Sequence, residues 1–322
     1  MDIKNKVILV IGGAGFIGSH TVDLLLKENI KKLFIFDNFI RGTKKNISHL
    51  IRDNRVQVID NADILDYGKL LNFTRKADAV FHFAALWLNH CINDPKLAFD
   101  VNIKGTFNVI HACKETNVEK LIFSSSASVY GDSFSKKIKE DNLLLSKNFY
   151  GATKISCEAI LRAYFCQYNL NYLGLRYMNV YGRRQDYKGK YVSVILKMLD
   201  AIENNQPPTI FGNGEESYDF VSVEDCARAN VCAIKSSAVN EFYNVGTGVK
   251  TSLKELAHIL MKIKNRNLLI KYIKNKEKFI DRNRVGSTKK AKKDLGFKSR
   301  ISINDGLKDL IDWKDKEFQK SK

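Results

Sequence analysis

The sequence predicts an α/β fold, a doubly wound parallel sheet joined to a smaller, discontinuous α/β domain. Three observations predict it. An apolar run, Val7 to Ile11, opens directly into Gly12-Gly13-Ala14-Gly15-Phe16-Ile17-Gly18 and then into a helix. Buried-type strands alternate with amphipathic helical segments as far as Tyr177. The chain of 322 residues exceeds one ordinary domain, and the alternation breaks after Tyr177.

The first strand and its glycine turn have the Rossmann pattern of a dinucleotide grip. Gly12 and Gly13 permit the tight turn and Gly15 lets backbone amides approach a pyrophosphate. Gly18 lets the following helix pack on the strand, its positive end toward the phosphates, with Phe16 and Ile17 in its first turn. The second strand, Leu33 to Phe36, ends at Asp37, about 20 residues past the last glycine, where the fold needs an acceptor for the ribose hydroxyls. A carboxylate there favours NAD over NADP; Arg41, Lys44 and Lys45 are the cations that keep a 2′-phosphate reading open.

Further strands are expected at Val56 to Ile59, Ala79 to Phe83, Lys120 to Ser124 and Tyr172 to Tyr177, with Asp219 to Val223 and Phe242 to Val245 as later additions to the sheet. Residues from about 183 to 217 carry a helix, Pro207-Pro208 and the turn Gly212-Asn213-Gly214. Residues 251 to 322 give two or three more helices and a short strand. These patterns place residues 1–180 plus about 218–250 in a cofactor domain and about 181–217 plus 251–322 in a second domain.

Composition narrows the function classes. The apolar fraction of 44% is ample for a core, no apolar run is long enough for a membrane span, and the first strand begins too early to leave room for a signal peptide, so a cytoplasmic protein is expected. The six cysteines form no CxxC pairs and no clusters with histidine, which argues against a zinc site or a disulfide framework. A net charge of +18 invites a nucleic-acid partner, but Lys outnumbers Arg roughly threefold and is spread along the chain as on solvated helix faces. No nucleic-acid or membrane partner is expected. The positive field suits an anionic small substrate.

Ligands of open parallel sheets bind at the carboxyl ends of the strands, and chemistry-bearing residues gather there. The strand Lys120 to Phe123 runs into Ser124-Ser125-Ser126-Ala127-Ser128, and about 20 residues later a helix opens with Tyr150-Gly151-Ala152-Thr153-Lys154. Tyr150 and Lys154 share one helix face. An ammonium and a positive nicotinamide ring both favour the phenolate of Tyr150 and bring it toward service as a base, Lys154 holds the nicotinamide ribose, and Ser126 bonds the substrate oxygen. Spacing alone is not specific in a chain with 13 Tyr: Tyr272 and Lys276 repeat it in a lysine-rich segment without strand-end serines and read as surface.

With these residues in place, the chain resembles the extended short-chain dehydrogenase/reductase family, in particular its NAD-dependent nucleotide-sugar 4-epimerases of the UDP-glucose 4-epimerase type. The resemblance covers nearly the whole chain: Gly12 to Gly18, Asp37-Asn38, Ala62-Asp63-Ile64, His82 to Ala85, Val101-Asn102 with Gly105-Thr106, the serine run, Tyr150 to Lys154, Leu175 to Gly182, and Asp219-Phe220-Val221 with Val223-Glu224-Asp225. It implies that Asp63 and Ile64 contact adenine, that Phe83, Ala84 and Ala85 line the cofactor, and that Tyr177 flanks the nicotinamide. Asn38, Asn102 and Ser124 join the cofactor set on the same ground. Asn179 and Phe211 would face the nucleotide sugar, with Ser128, Tyr218, Lys190 and Arg284 as further substrate contacts in the second, nucleotide-sugar-binding domain.

The implied reaction is a transient oxidation at C4 to a 4-keto sugar and its reduction on the opposite face, an isomerisation without net redox change. The similar 4,6-dehydratases place an Asp-Glu pair where this chain has Ala127 and Ser128, so elimination of water is not expected. Three departures bear on the substrate. Arg183 replaces a common Pro, Tyr218 replaces an Arg that lies near the diphosphate in many relatives, and Asp186 stands where relatives acting on glucuronate have Arg. The first two leave Arg184, Lys190, Arg282 and Arg284 as candidate diphosphate partners, and Asp186 points to a neutral sugar. A 4-ketosugar reductase with exchangeable cofactor is the alternative enzyme, and a non-catalytic NAD-sensing protein the non-enzymatic one. The helices of Asp94 to Glu115 and Tyr150 to Tyr168 carry apolar residues on more than one face, including Ile155, Ile160, Leu161, Tyr164 and Phe165. The resemblance implies that they pair with their copies as a four-helix bundle in a homodimer, with Leu161 and Phe165 at the interface.

Overall fold

A computed structural model describes residues 1–132, 137–186, 193–274 and 283–319. Strand and helix alternate from the start: β1 (Val7–Ile11), α1 (Phe16–Leu25), β2 (Lys32–Phe36), α2 (Lys44–Ile47), β3 (Val56–Ile59), α3 (Tyr67–Thr74) and β4 (Ala79–His82). The short helices α4 (Leu88–Asn93) and α5 (Pro95–Ala98) lead through a π-helical stretch, Phe99–Gly105, into α6 (Thr106–Glu115). Then come β5 (Lys120–Ser126), α7 (Phe149–Tyr168), β6 (Tyr172–Tyr177) and β7 (Asn179–Tyr181). The rest comprises α8 (Val194–Glu203), β8 (Thr209–Phe211), β9 (Ser217–Tyr218), β10 (Phe220–Ser222), α9 (Val223–Lys235) and β11 (Glu241–Val245). After these follow β12 (Thr251–Ser252), α10 (Leu253–Ile263), β13 (Lys271–Ile273), α11 (Lys289–Leu295) and α12 (Ile303–Gln319).

The central sheet is seven-stranded in the order β11-β6-β5-β4-β1-β2-β3, parallel throughout. The period-2 geometry of a strand explains its two cores. On β1, Ile8 and Val10 enter one core with Val22 and Leu25 of α1 and Ala229 and Ala233 of α9, while Leu9 and Ile11 enter the other with Leu70 of α3, Val109 of α6 and Cys157 of α7. Strands buried on both faces therefore read as continuous apolar runs. The winding reverses between β1 and β4, so the crevice opens at their carboxyl ends.

Of the two later strands expected in this sheet, only Phe242 to Val245 joins it, within β11. Phe220–Ser222 instead pairs with β7 in a separate two-stranded parallel ladder, because the chain leaves the sheet after Tyr177 and Asn179 N–H donates to the Asp219 carbonyl, 2.9 Å. A further hydrophobic core joins α8, α10 and α12 through Leu196, Leu199, Leu256, Leu260, Leu307 and Leu310, with Tyr181 and Phe220 at its edge. Helix α11 does not belong to it: Ala291, Leu295 and Phe297 pack into the core on the α1/α9 face of the central sheet.

The glycine turn shows why its residues are glycine. Gly12 has φ +77°, and a Cβ on Gly18 would stand 2.2 Å from the Gly12 carbonyl oxygen, a backbone atom that cannot step aside. Gly18→Ala must therefore push α1 off β1. We expect it to cost roughly 1–3 kcal/mol in denaturant unfolding and to weaken dinucleotide binding, whereas Gly68→Ala, where a Cβ meets nothing closer than 3.8 Å, leaves both nearly unchanged.

Candidate active site

Helix α1 starts at Gly15 with no side-chain cap and no acidic residue in its first turn, so its leading amides and positive end face the crevice. The Asp37 carboxylate is steered to the same place by Ala14 N–H and Phe39 N–H, each 2.9 Å away. Asp63 accepts from Leu65 N–H at 2.9 Å and from the Asn38 amide at 3.5 Å, which sets both beside the end of β3. Ile64 is buried beneath them. Phe83 N–H bonds the Ile11 carbonyl, 2.8 Å, which carries Phe83, Ala84 and Ala85 along the far wall of the turn. These residues fit a dinucleotide. Of the three cations that left a 2′-phosphate open, Lys44 is paired with Asp60 at 2.8 Å and Lys45 with Glu317, while Arg41 lies over the Trp87 ring.

The second half of the site is the junction of β5 with α7. Asn148 caps α7, its Oδ1 accepting from Gly151 N–H at 2.9 Å. Only glycine fits at 151, since a Cβ there would lie 2.3 Å from the Ser128 carbonyl oxygen. This contact lays the start of α7 across the end of β5. Ser126, whose Oγ accepts from Ser128 N–H at 3.1 Å, lies close enough to Tyr150 for its hydroxyl to favour the phenolate. The Lys154 ammonium donates to the Ser124 carbonyl, 2.7 Å, and stands 5.8 Å from the Tyr150 ring centroid.

Opposing influences act on the Tyr150 phenol. Burial pushes it up to about 12, while the Ser126 hydroxyl and the guanidinium charges of Arg41 and Arg284 pull it down. Burial also lowers the Lys154 ammonium. The sequence pattern points to Lys154 as the activating charge; the cations that act on the phenol here are Arg41 and Arg284, which no local motif announces.

Behind this junction lies a buried ion pair that the motifs did not reveal. Glu158, one turn beyond Lys154, and Arg176 on β6 are 0% and 1% exposed and meet in a two-pronged contact at 2.9 and 2.7 Å. Ser125 Oγ donates to Glu158 at 2.6 Å, and Arg176 donates to the Tyr130 hydroxyl at 2.7 Å and the Glu140 carbonyl at 2.9 Å. The one available signal was an arginine inside an otherwise apolar strand, which requires a buried partner.

Asn102 and Tyr177, placed in the cofactor set by resemblance, have their polar groups directed elsewhere. The Asn102 amide exchanges bonds with Leu86 N–H and carbonyl, 2.7 and 2.9 Å, and reaches Thr153 Oγ at 3.2 Å, so it braces the turn after β4 against α7. The Tyr177 hydroxyl donates to Asn230 at 2.7 Å, and Asn230 in turn reaches Thr21 of α1.

On the substrate side, Arg284 donates to Ser128 Oγ at 3.1 Å and is bridged in backbone to Tyr218. Tyr218 packs edge-on against Phe220, 6.0 Å. Phe211 is 56% exposed on β8, and Asn179 begins β7. Arg184 is paired with Asp23 of α1 at 2.8 Å, and Arg183 joins Glu224 of α9 to Asp309 of α12. Lys190, Arg282 and Lys276 lie outside the described residues. Tyr272 is on β13 and half-exposed, as a surface residue should be. Leu161 corrects the expected interface: it is fully buried against the sheet with Val109 and Tyr172, because the helical period turns it inward.

Comparison with known proteins agrees with this geometry. The family model described as the NAD dependent epimerase/dehydratase family matches residues 8–246. A putative UDP-glucose 4-epimerase of Methanocaldococcus jannaschii is 37% identical over 95% of this chain and 98% of its own. A UDP-N-acetylglucosamine 4-epimerase from Methanobrevibacter ruminantium, solved with UDP-N-acetylmuramic acid, superposes with a TM-score of 0.91 at 32% identity, covering 98% of this chain and 99% of its own. A UDP-glucose 4-epimerase from Thermotoga maritima, solved with UDP-glucose, gives 0.89 at 30% identity, with 97% and 99% covered. The glycine turn with Asp37, the Ser126-Tyr150-Lys154 junction and a family match across three quarters of the chain lead to one conclusion: the chain belongs to the NAD-dependent epimerase/dehydratase family.

Proposed function

We propose that this chain is an NAD-dependent nucleotide-sugar 4-epimerase acting on UDP-hexoses. The observation that carries it is the start of α7 laid across the strand-end serines of β5, with Lys154 fixed on the Ser124 carbonyl and 5.8 Å from the Tyr150 ring. UDP-sugar 4-epimerases among its relatives support the substrate class.

NAD supplies a hydride acceptor that also returns the hydride. The residues of the chain do the rest. Tyr150 takes the proton of the C4 hydroxyl and later gives it back, and Ser126 holds the C4 oxygen through both states. Lys154 orients the nicotinamide ribose, and Asp37, Asn38, Asp63 and Ile64 hold the adenosine half. Arg284, with Ser128 and Tyr218, meets the diphosphate, and Asn179 and Phe211 face the nucleotide sugar. Ala127 is buried and apolar, so no carboxylic acid is placed there for elimination. Segments 181–217 and 251–322 form the nucleotide-sugar-binding domain, with α11 returning to the cofactor domain. The free thiols suit a cytoplasmic enzyme.

The direct test incubates purified protein with UDP-, dTDP- and GDP-sugars without added cofactor; a C4 epimer of a UDP-hexose is expected. Turnover that requires added reductant would instead identify a 4-ketosugar reductase. Tyr150→Phe should lower kcat by roughly two to four orders of magnitude while UDP-sugar binding persists, and Tyr272→Phe should be near neutral. Because the phenol must ionise, kcat should rise with pH. Arg284→Gln removes a positive charge that favours phenolate, so the acid limb of the profile should move to higher pH. An unmoved limb would contradict that assignment.

Assembly follows from the same helices, with a corrected face. Phe107, His111, Tyr164 and Tyr168 form an aromatic belt on α6 and α7, in which Phe107 and Tyr168 are 41% and 49% exposed, and Leu97 and Phe99 are exposed nearby. This belt forms the two-fold interface of a homodimer. Light scattering at micromolar concentration should give a dimer, and Phe107→Glu with Tyr168→Glu a folded monomer; a monomeric wild type would overturn the interface.

A further inference from the structure

In the central sheet β1 lies between β2 and β4. A link from the loop after β2 to the loop after β4 therefore passes over the carboxyl end of β1, above the glycine turn Gly12–Gly18. Such a link exists. The Arg41 guanidinium lies over the Trp87 indole, 4.7 Å from the ring centroid. Both ends are anchored. On the Arg41 side, Phe39 N–H bonds Asp37 at 2.9 Å, while Thr43 N–H and the Asn46 amide bond the Ala14 carbonyl at 3.2 and 2.9 Å. On the Trp87 side, the Trp87 carbonyl accepts from Cys91 N–H at 3.1 Å, and the preceding Leu86 backbone is gripped by Asn102.

The chemistry of this pair is specific. A guanidinium held over an indole ring by its charge spends none of its N–H donors on the contact, so an N–H edge stays available. That edge matches the bidentate acceptor geometry of a phosphate. The same cation acts on the Asp186 carboxylate and the Tyr150 phenol, which sets it at the join of the cofactor crevice and the substrate pocket.

Resting on the NAD-binding reading above, we propose that Arg41 and Trp87 form a strap across the bound dinucleotide: the indole orients the guanidinium, the guanidinium donates hydrogen bonds to the pyrophosphate, and the pair retains NAD through both hydride transfers. An enzyme that returns the hydride to the sugar it came from has no use for cofactor release, so a strap at this place serves its chemistry. The sequence pattern had set Arg41 near the ribose as a candidate 2′-phosphate ligand; its position over Trp87 gives it the pyrophosphate instead. A diphosphate is also carried by a nucleotide sugar, and the experiment separates the two sources.

Wild type, Arg41→Gln, Arg41→Lys, Trp87→Leu and the Arg41→Gln/Trp87→Leu double variant are loaded with NAD, and release is followed with an auxiliary dehydrogenase that consumes free NAD. UDP affinity and thermal unfolding are measured on the same preparations. Arg41→Gln and Trp87→Leu should each release NAD about 10-fold or more faster than wild type, with Arg41→Lys between them and wild type. The double variant should be no faster than the faster single one, because an orienting group and the donor it orients act as a unit. UDP affinity should be unchanged. Equal release rates, or independent effects that multiply in the double variant, would overturn the strap. Lost UDP affinity with unchanged NAD release would overturn it too and give the guanidinium to the nucleotide sugar. A wild type that holds no NAD would fail the functional reading itself, an outcome distinct from a wild type and variants that hold it equally long.

Discussion

The buried Glu158–Arg176 pair is the constraint on which the geometry of the site depends. Tyr150 and Lys154 stand on α7, their partners Ser126 and Ser124 on β5, and nothing in either element alone sets their relative register. Glu158 does so, by joining α7 to β5 through Ser125 and to β6 through Arg176. Two charges removed from water cost several kcal/mol each unless their remaining valences are met. Here they are met on every side, by Ser125, Tyr130 and the Glu140 carbonyl, and Arg176 is sandwiched within reach of the Tyr130 and Phe242 rings. The network exchanges some stability for one fixed arrangement of helix on strand.

From that fixed arrangement the rest of the chemistry follows by proximity. The winding of the sheet reverses between β1 and β4, which opens the crevice where the glycine turn offers amides and Asp37 offers a carboxylate. The π-helical stretch Phe99–Gly105 carries Asn102, which ties the β4 turn to α7 and so couples the wall of the crevice to the helix that carries Tyr150. From the other side, the segment containing Arg284, bridged in backbone to Tyr218, reaches the strand-end serines and brings a second guanidinium to bear on the phenol. The surroundings of the Tyr150 phenol are therefore assembled from three directions, and its charge state answers to groups that are distant in sequence.

That distribution explains what could be read in advance. The sheet was legible because strands buried on both faces are continuous apolar runs, and the turn because φ and packing demand glycine at fixed offsets. Ser126, Tyr150 and Lys154 were legible because the helical period puts two of them on one face behind a strand-end serine. Arg176 was recognisable only as an anomaly, since a sequence does not say which acid a buried arginine meets. Arg41 reads in sequence as one of three cations that could meet a 2′-phosphate, because it follows Asp37 closely, yet its contact is Trp87, 46 positions away. Leu161 was set at an interface because α7 is apolar on several faces; the inward face belongs to the sheet, and the outward face is the aromatic belt. Strand β7 and the docking of α11 on the central sheet escaped notice for a similar reason, since short elements take their place from tertiary partners rather than from local pattern.

The central claim is that oxidation and reduction at C4 occur on one bound sugar, with the hydride retained by the enzyme between them. UDP-glucose carrying deuterium at C4 tests this most directly, with the product examined by mass spectrometry and NMR in the presence of excess unlabelled NAD. The account predicts that the deuterium is found at C4 of the epimerised product, without loss to solvent or to the free cofactor. Loss of the label, or its appearance in bulk NADH, would contradict it.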